Sequence, residues 1–313
     1  MPSSSTQAYV TLIFGDEAYV CAAAVLGAAL RAIDPSRPRM VLTWNVSGPA
    51  VLVLQHGGLW HVLEQSEMRT GWVRGKRQLT GLKDPLWSLP HKRILFFDVD
   101  HFPLPSLRTQ SRIQKLWQHP GKLVATVEGA QFIHSPCFNS GLMLLTPNAK
   151  SVERLVQAQR QRVWNKRPPV LKCMGGGIDQ ALQNHAFPDW QRLDAPTWRL
   201  FTSAFVPPRE CNNSAAQLAE HVDSFHFFGQ FAPWRPGCER CNAARRVCAG
   251  RRPRPHGQDR CAAQAAAAAI WWETFAQLPE RTRQWCSRVW EAKAGMVEGS
   301  TRTSRNHNVG TCA

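Results

Sequence analysis

The sequence is short of tyrosine, of acidic residues and of long apolar runs, and each shortage excludes something. Tyr9 and Tyr19 are its 2 tyrosines in 313 residues, leaving few phenols for any chemistry that needs one. Against 38 Lys and Arg stand 22 Asp and Glu, a formal charge of +16. Such a balance calls for an anionic partner: phosphorylated ligands, a membrane surface or nucleic acid. No apolar stretch reaches the roughly 20 residues of a membrane span, and the run inside Cys21–Leu30 is too short, so no transmembrane segment is expected in this chain. The opening Met1-Pro2-Ser3-Ser4-Ser5 lacks the apolar core of a secretory leader, which at face value reads as a cytoplasmic protein. No internal repeat is visible.

What is present points partly the other way. Hydrophobic residues make up 43% of the chain, enough for a sizeable α/β core, and 13 of the aromatic residues are Trp. Ten Cys and two sequons, Asn45-Val46-Ser47 and Asn212-Asn213-Ser214, suit an oxidising lumen such as the Golgi; an N-terminal anchor missing from the chain would reconcile the two readings. The basic residues crowd into Arg235–Arg254. No aromatic interleaving or nucleic-acid module accompanies them, so a solvated loop is favoured over a nucleic-acid surface.

Apolar patterning orders the elements. Ala8–Phe14 reads as a buried strand ended by Gly15-Asp16, Ala18–Ala32 as a helix interrupted only by Gly27, and Arg39–Thr43 as a second strand. Val51–Gly57 and Trp60–Leu63 read as a helix and a third strand. This β-α-β-α-β order predicts a parallel, nucleotide-binding sheet. Ile94–Phe97 is a continuous apolar run, as expected of a strand buried on both faces. Leu123–Val127 and Gly141–Leu145 read as strands; Val152–Trp164, Ile178–His185 and Ala263–Leu278 read as helices. The expected organisation is a catalytic unit over 8–237, a Cys/Arg/Pro-rich loop over 238–262, a helical segment over 263–294 and a disordered tail over 295–313.

Asp98-Val99-Asp100 follows the Ile94–Phe97 run directly. In extended chain, residues i and i+2 face one side, so the two carboxylates make a hard-oxygen site for Mn²⁺ or Mg²⁺ at a strand end, where ligands of α/β sheets bind. An isolated Asp-x-Asp reads equally as two solvated loop carboxylates. His226 beside Phe225, Phe227 and Phe228 reads as a core histidine or as an imidazole ligand, and Gly229 would admit a phosphate closely. Asn139, in Cys137–Gly141, is a turn residue or a partner for sugar hydroxyls. Asp179-Gln180 is a helix N-terminal pair or a substrate contact.

The order of these motifs resembles that of the glycogenin-like transferases of glycosyltransferase family eight. Val10-Thr11-Leu12 with Gly15–Tyr19 is similar to the opening strand and uridine-binding turn, in the form nearest the plant branch that includes sphingolipid glucuronosyltransferases. Leu79–Leu89, with Lys83 four residues before Trp87, is similar to the stretch ahead of the metal motif. Phe97–Asp100, Phe138–Gly141, Gly177–Gln180 and His226–Gly229 with Pro233-Trp234 resemble the remaining motifs in turn. The likeness runs from about Tyr9 to Trp234.

That resemblance implies a GT-A type, Rossmann-like α/β domain around a mixed, mainly parallel sheet. It implies Mn²⁺ (Mg²⁺ as the alternative) held by Asp98, Asp100 and His226, and uridine bordered by Leu12, Tyr19 and Val99. Arg74 and Lys83 would face the donor sugar or its phosphates, and Asn139, Ser140, Asp179 and Gln180 would line the sugar and acceptor site. The reaction implied is transfer from a UDP-sugar to a glycan, lipid or protein acceptor with retained anomeric configuration. The chain departs from the family in three places. Ala232 replaces the Lys before Pro-Trp, which would otherwise meet the leaving diphosphate; a weak homologue that binds UDP or glycan is therefore the competing reading. Ile178 replaces one Gly, and Gly176 stands where an acidic residue is common. Trp198–Val206 offers no Tyr for self-glucosylation. Cys238, Cys241, Cys248 and Cys261 read as free thiols, disulfides or a zinc site, and only the first pair has strong ligand spacing.

Overall fold

The computed structural model describes residues 6–64, 81–127, 137–161, 178–193, 200–202, 222–227, 232–234 and 258–303. Apolar side chains along Gln7–Phe14 must go to both sides, and β1 is accordingly a central strand. Tyr9 and Ile13 enter one core, while Ala8 and Val10 enter the other. The same alternation runs through β2 (Arg39–Trp44) and β4 (Arg93–Phe97), where Leu95 and Phe97 oppose Ile94 and Phe96. A strand buried on both faces needs layers on both faces, and the chain supplies them.

The seven-stranded sheet has the order β3-β2-β1-β4-β7-β6-β8, with β3 at His61–Glu64, β6 at Leu123–Val127, β7 at Phe138–Leu145 and β8 at Gln191–Arg192. Strands β1 to β4 are mutually parallel, as the β-α-β-α-β reading predicts. Strand β7 runs antiparallel to both β4 and β6, which makes the sheet mixed. A smaller sheet joins β5 (His101–Pro103), β10 (Ser224–His226) and β9 (Leu200–Thr202) in the order β5-β10-β9.

Helix α1 (Glu17–Ile33) starts at an Asp16 cap whose carboxylate accepts from the Ala18 N–H at 2.8 Å. Its Gly27, the one helix-weakening residue in the run, has a packing reason. A Cβ there would collide with the indole of Trp60, whose Nε1–H donates to the Ala23 carbonyl at 2.7 Å. Helices α2 (Gly48–Gln55) and α3 (Leu107–Trp117) complete that layer. The opposite layer holds a 3-10 turn (Asp84–Ser88), α4 (Ala149–Gln161) and α5 (Ile178–Ala186), with Trp87 stacked on Phe187 at 4.2 Å.

Helices α6 (Gln258–Ala276) and α7 (Glu280–Thr303) pack on the α1 side. Trp271 of α6 lies 5.7 Å from Trp234, and Cys286 of α7 forms a disulfide with Cys21 of α1. Helix α7 continues through Thr303, past Gly295, where composition alone suggests a disordered tail; Glu, Ala, Lys and Met carry it onward with no proline to stop it. Among the described residues no helix is long and apolar enough to cross a membrane.

Candidate functional site

The parallel strands deliver their carboxyl ends to one edge. Strand β4 stops at Phe97, and Asp98 turns the chain: its N–H donates to the Gly141 carbonyl at 2.8 Å, and its carbonyl accepts from the His101 N–H at 2.9 Å. That turn feeds β5, whose antiparallel pairing with β10 sets His101 opposite His226. The Phe227 N–H closes the unit on the Asp100 carbonyl at 2.8 Å. The pairing brings His226 Nε2 to 3.3 Å from Asp100 Oδ1. Burial works against charge on His226, but Asp100 and then Asp98 outweigh it and hold the imidazole above its ordinary range.

Lys83 enters from the other layer. Its buried ammonium donates to Asp98 Oδ2 at 2.9 Å, to Ser140 Oγ at 3.0 Å and to the Ser140 carbonyl at 3.1 Å, and it lies 2.9 Å from Asp179 Oδ2. Burial opposes its charge, yet the carboxylates of Asp179 and Asp98 more than offset that and raise its pKa. For Asp98, desolvation is the largest influence, opposed by Lys83 and reinforced by Asp100 and Asp179, and its pKa rises to about 6. This edge therefore concentrates more negative charge than one ammonium neutralises.

Asp98, Asp100 and His226 are the side chains that could hold a divalent cation, and their chemistry fits one: two carboxylates and an imidazole. Gly141 keeps the space among them open, since a Cβ there would come within 3.3 Å of Asp98 Oδ2 and 3.4 Å of His226 Cε1. As they stand, no three or more His, Cys, Asp and Glu side chains among the described residues close into a metal-ligand group.

Asn139 Oδ1 accepts from the Gly141 N–H at 2.8 Å, shaping the same turn. Gln180 Oε1 accepts from the Ser140 N–H at 3.1 Å, and Gln180 Nε2 is buried with no hydrogen-bond partner among the described residues. Leu12 and Tyr19 are half-buried beside the β1–α1 turn, and Val99 is buried between the two acids. Arg74 and Gly229 lie outside the described residues, as do Cys238, Cys241 and Cys248. Ala232 is buried in the core that contains Phe227 and Trp234, so this position carries no charge to the edge.

Three supports escaped the motif reading. Asn184 mimics a strand partner: it accepts from the Phe138 N–H at 2.8 Å and donates to its carbonyl at 2.9 Å. Gln183 accepts from Trp87 Nε1 at 3.2 Å. The signal for both was helical spacing, since Asp179 with Gln183 and Gln180 with Asn184 recur at i, i+4 on one helix. His101 is the third: it stacks on His226 at 5.2 Å, its Nε2 sits 2.8 Å from Ser224 Oγ, and burial and then His226 keep it neutral.

No protein-family model matches the chain. It is 25% identical over 289 residues to "Putative UDP-glucuronate:xylan alpha-glucuronosyltransferase 5" of Arabidopsis thaliana, covering 89% of this chain and 44% of that protein. It is 24% identical over 302 residues to the similarly named number 4 of the same plant, covering 91% and 45%. The chain thus spans under half the length of the curated relatives it matches. The crystal structure of galactosyltransferase LgtC with donor and acceptor sugar analogs matches it with a TM-score of 0.56 at 16% identity, covering 88% of this chain and 99% of that one. The apo glycosyltransferase GlyE of Streptococcus pneumoniae matches with a TM-score of 0.54 at 14% identity, covering 94% and 64%. The fold is the GT-A glycosyltransferase fold, and in sequence the chain resembles the two plant proteins named as glucuronosyltransferases.

Proposed function

We propose that the chain is a metal-dependent, retaining glycosyltransferase that moves a hexosyl or glucuronosyl group from a UDP-sugar to a glycan, lipid or protein acceptor. The observation that carries this reading is the convergence of Asp98, Asp100, His226, Lys83 and Asp179 at the carboxyl edge of the parallel strands. The excess of carboxylate there is matched to a cation, and a bound Mn²⁺ or Mg²⁺ would neutralise the diphosphate as the sugar leaves it. Asp98, Asp100 and His226 would hold it. Lys83 is the fixed cation of the site; anchored on Ser140, it orients Asp98 and Asp179 and presents positive charge to the donor. Asp179 and Gln180 line the transfer site, with Gln180 Nε2 ready to donate to a sugar oxygen. Leu12, Tyr19 and Val99 border the base, Asn139 and Ser140 the sugar, and Arg74 and Gly229 belong to the donor site by motif alone.

The Cys21–Cys286 disulfide, together with a disulfide-bonded Cys137, supports work in an oxidising compartment. The test is a donor screen that measures UDP release with Mn²⁺ present, across glucose, galactose, glucuronate and xylose donors. Turnover that Asp98→Asn and Asp100→Asn leave undiminished would sink the reading. Ala232 motivates one competitor, a homologue that binds UDP without efficient transfer. Metal-dependent UDP binding with no transfer to any acceptor in a broad screen would favour it.

A further inference from the structure

The two C-terminal helices reach back to the turn that opens the fold. Helix α7 runs antiparallel to α1, because Cys286 joins Cys21 while Lys293 pairs with Asp16, which lies earlier in the chain than Cys21. Cys286 and Lys293 are seven residues apart, two helical turns along one face. The disulfide is fully buried, so it fixes the height of α7 on α1 and delivers the Lys293 ammonium to the carboxyl edge.

What it meets there is specific. Asp16 Oδ1, which already caps α1 through the Ala18 N–H, accepts from Lys293 as well. Other bonds hold the turn on its far side. Gly15 sits at φ +64° with its N–H on the Trp44 carbonyl at 3.0 Å, and Glu17 accepts from Ser47 Oγ at 2.6 Å. Tyr19, in the first turn of α1, meets Trp234 edge-on at 6.2 Å, and Trp234 rests on Trp271 of α6. Helix α7 therefore touches the Gly15–Tyr19 turn directly through Lys293, and α6 reaches it at one remove, through Trp234.

We infer that the α6–α7 hairpin is part of the donor site, with Lys293 a positioning residue that fixes the Gly15–Tyr19 turn around a nucleoside diphosphate. This rests on the reading of that turn as the uridine border. Lys293 does not act by strength: its side chain is 31% exposed and that of Asp16 43%, so the pair adds little to global stability. It acts by geometry, because the disulfide fixes where α7 lies on α1 and the ammonium meets the same oxygen that caps the helix.

The experiment compares the full chain with Lys293→Met, Lys293→Arg and Cys21→Ser/Cys286→Ser. Calorimetry with UDP and MnCl₂ gives affinity, and hydrogen exchange follows the peptide that spans Gly15–Tyr19. Lys293→Met is expected to weaken UDP binding by about fivefold and to speed exchange in that peptide, with the melting temperature nearly unchanged. Lys293→Arg restores both, and the double serine variant reproduces both with a lower melting temperature. Native affinity in Lys293→Met overturns the inference, whether or not exchange quickens. A native chain that binds no UDP at all overturns the transferase reading itself, a distinct result.

Discussion

The carboxyl edge and the C-terminal hairpin are built on opposite principles. At the edge, Lys83, Asp98, Asp100, Asp179 and His226 form a crowded polar cluster in which three carboxylates face one ammonium and one imidazole. In the hairpin, Trp271, Trp272, Phe275 and Trp290 stack at 4.9–6.4 Å from one another and onto Trp234, and a disulfide closes a separation of 265 residues. The edge costs stability and supplies chemistry; the hairpin supplies stability and frames the edge. Substitutions should therefore separate the two regions by which measurement moves.

The largest effect belongs to the edge. Asp98→Asn and Asp100→Asn should each lower UDP-sugar turnover by ~10³-fold, with circular dichroism unchanged and the melting temperature held or raised. Removing a carboxylate from an over-charged cluster relieves repulsion, so a variant that lost activity by unfolding would break the contrast. The hairpin should show the reverse. Trp271 is 1% exposed, and Trp271→Ala should cost about 3–5 kcal/mol in chemical denaturation, a loss of stability that neither aspartate substitution at the edge should show.

One polar group is expected to behave like the hairpin, and it sharpens the rule. Asp223 is fully buried and pairs with Arg112 at 2.6 Å and Arg108 at 3.4 Å, both on α3. Its carbonyl accepts from the Leu104 N–H at 2.9 Å, so the residue ties α3 to the β5–β10 pairing that positions His226. Asp223→Ala would take a fully buried carboxylate away from two guanidinium groups of α3 and should cost about 3 kcal/mol in the same denaturation.

The same division explains what could be read before the fold was known. Strands β1 to β4 were legible because each is a local apolar run, and Asp98 with Asp100 because their spacing is local too. The meeting of His226 with Asp100 was readable only as family order. Physically it depends on β5 pairing with β10, with His101 and His226 far apart in sequence, and no local pattern encodes that register. Lys83 was legible as a residue near the donor but not as the bridge between Asp98 and Asp179, since those partners come from two other elements. Cys21–Cys286 could not be singled out among ten cysteines, whose pairings sequence does not determine. Asn184 and Gln183 were missed because amides on a helix face read as ordinary solvated surface until β7 is packed against them.

The smallest effect tests the edge where no chemistry is assigned. Asp84 follows Lys83 in the chain and accepts from Gln159. Burial pushes its pKa up to about 7, with Asp179 adding to the rise and the Gln159 contact resisting it. A carboxyl that holds its proton more tightly folded than unfolded favours folding below the unfolded pKa of about 4, where both states are protonated, and this preference is lost as pH rises through 7. Native stability should therefore fall between pH 4 and pH 8 by an amount that Asp84→Asn removes. The ceiling is ~4 kcal/mol for a shift of this size, and relaxation of the site will make it smaller. Melting curves at pH 4 and pH 8 decide it: Asp84→Asn should match the native chain at pH 4 and exceed it at pH 8. Equal gains at both pH values would mean that the asparagine improves packing, and the unbalanced charge at the edge would then stop short of Asp84.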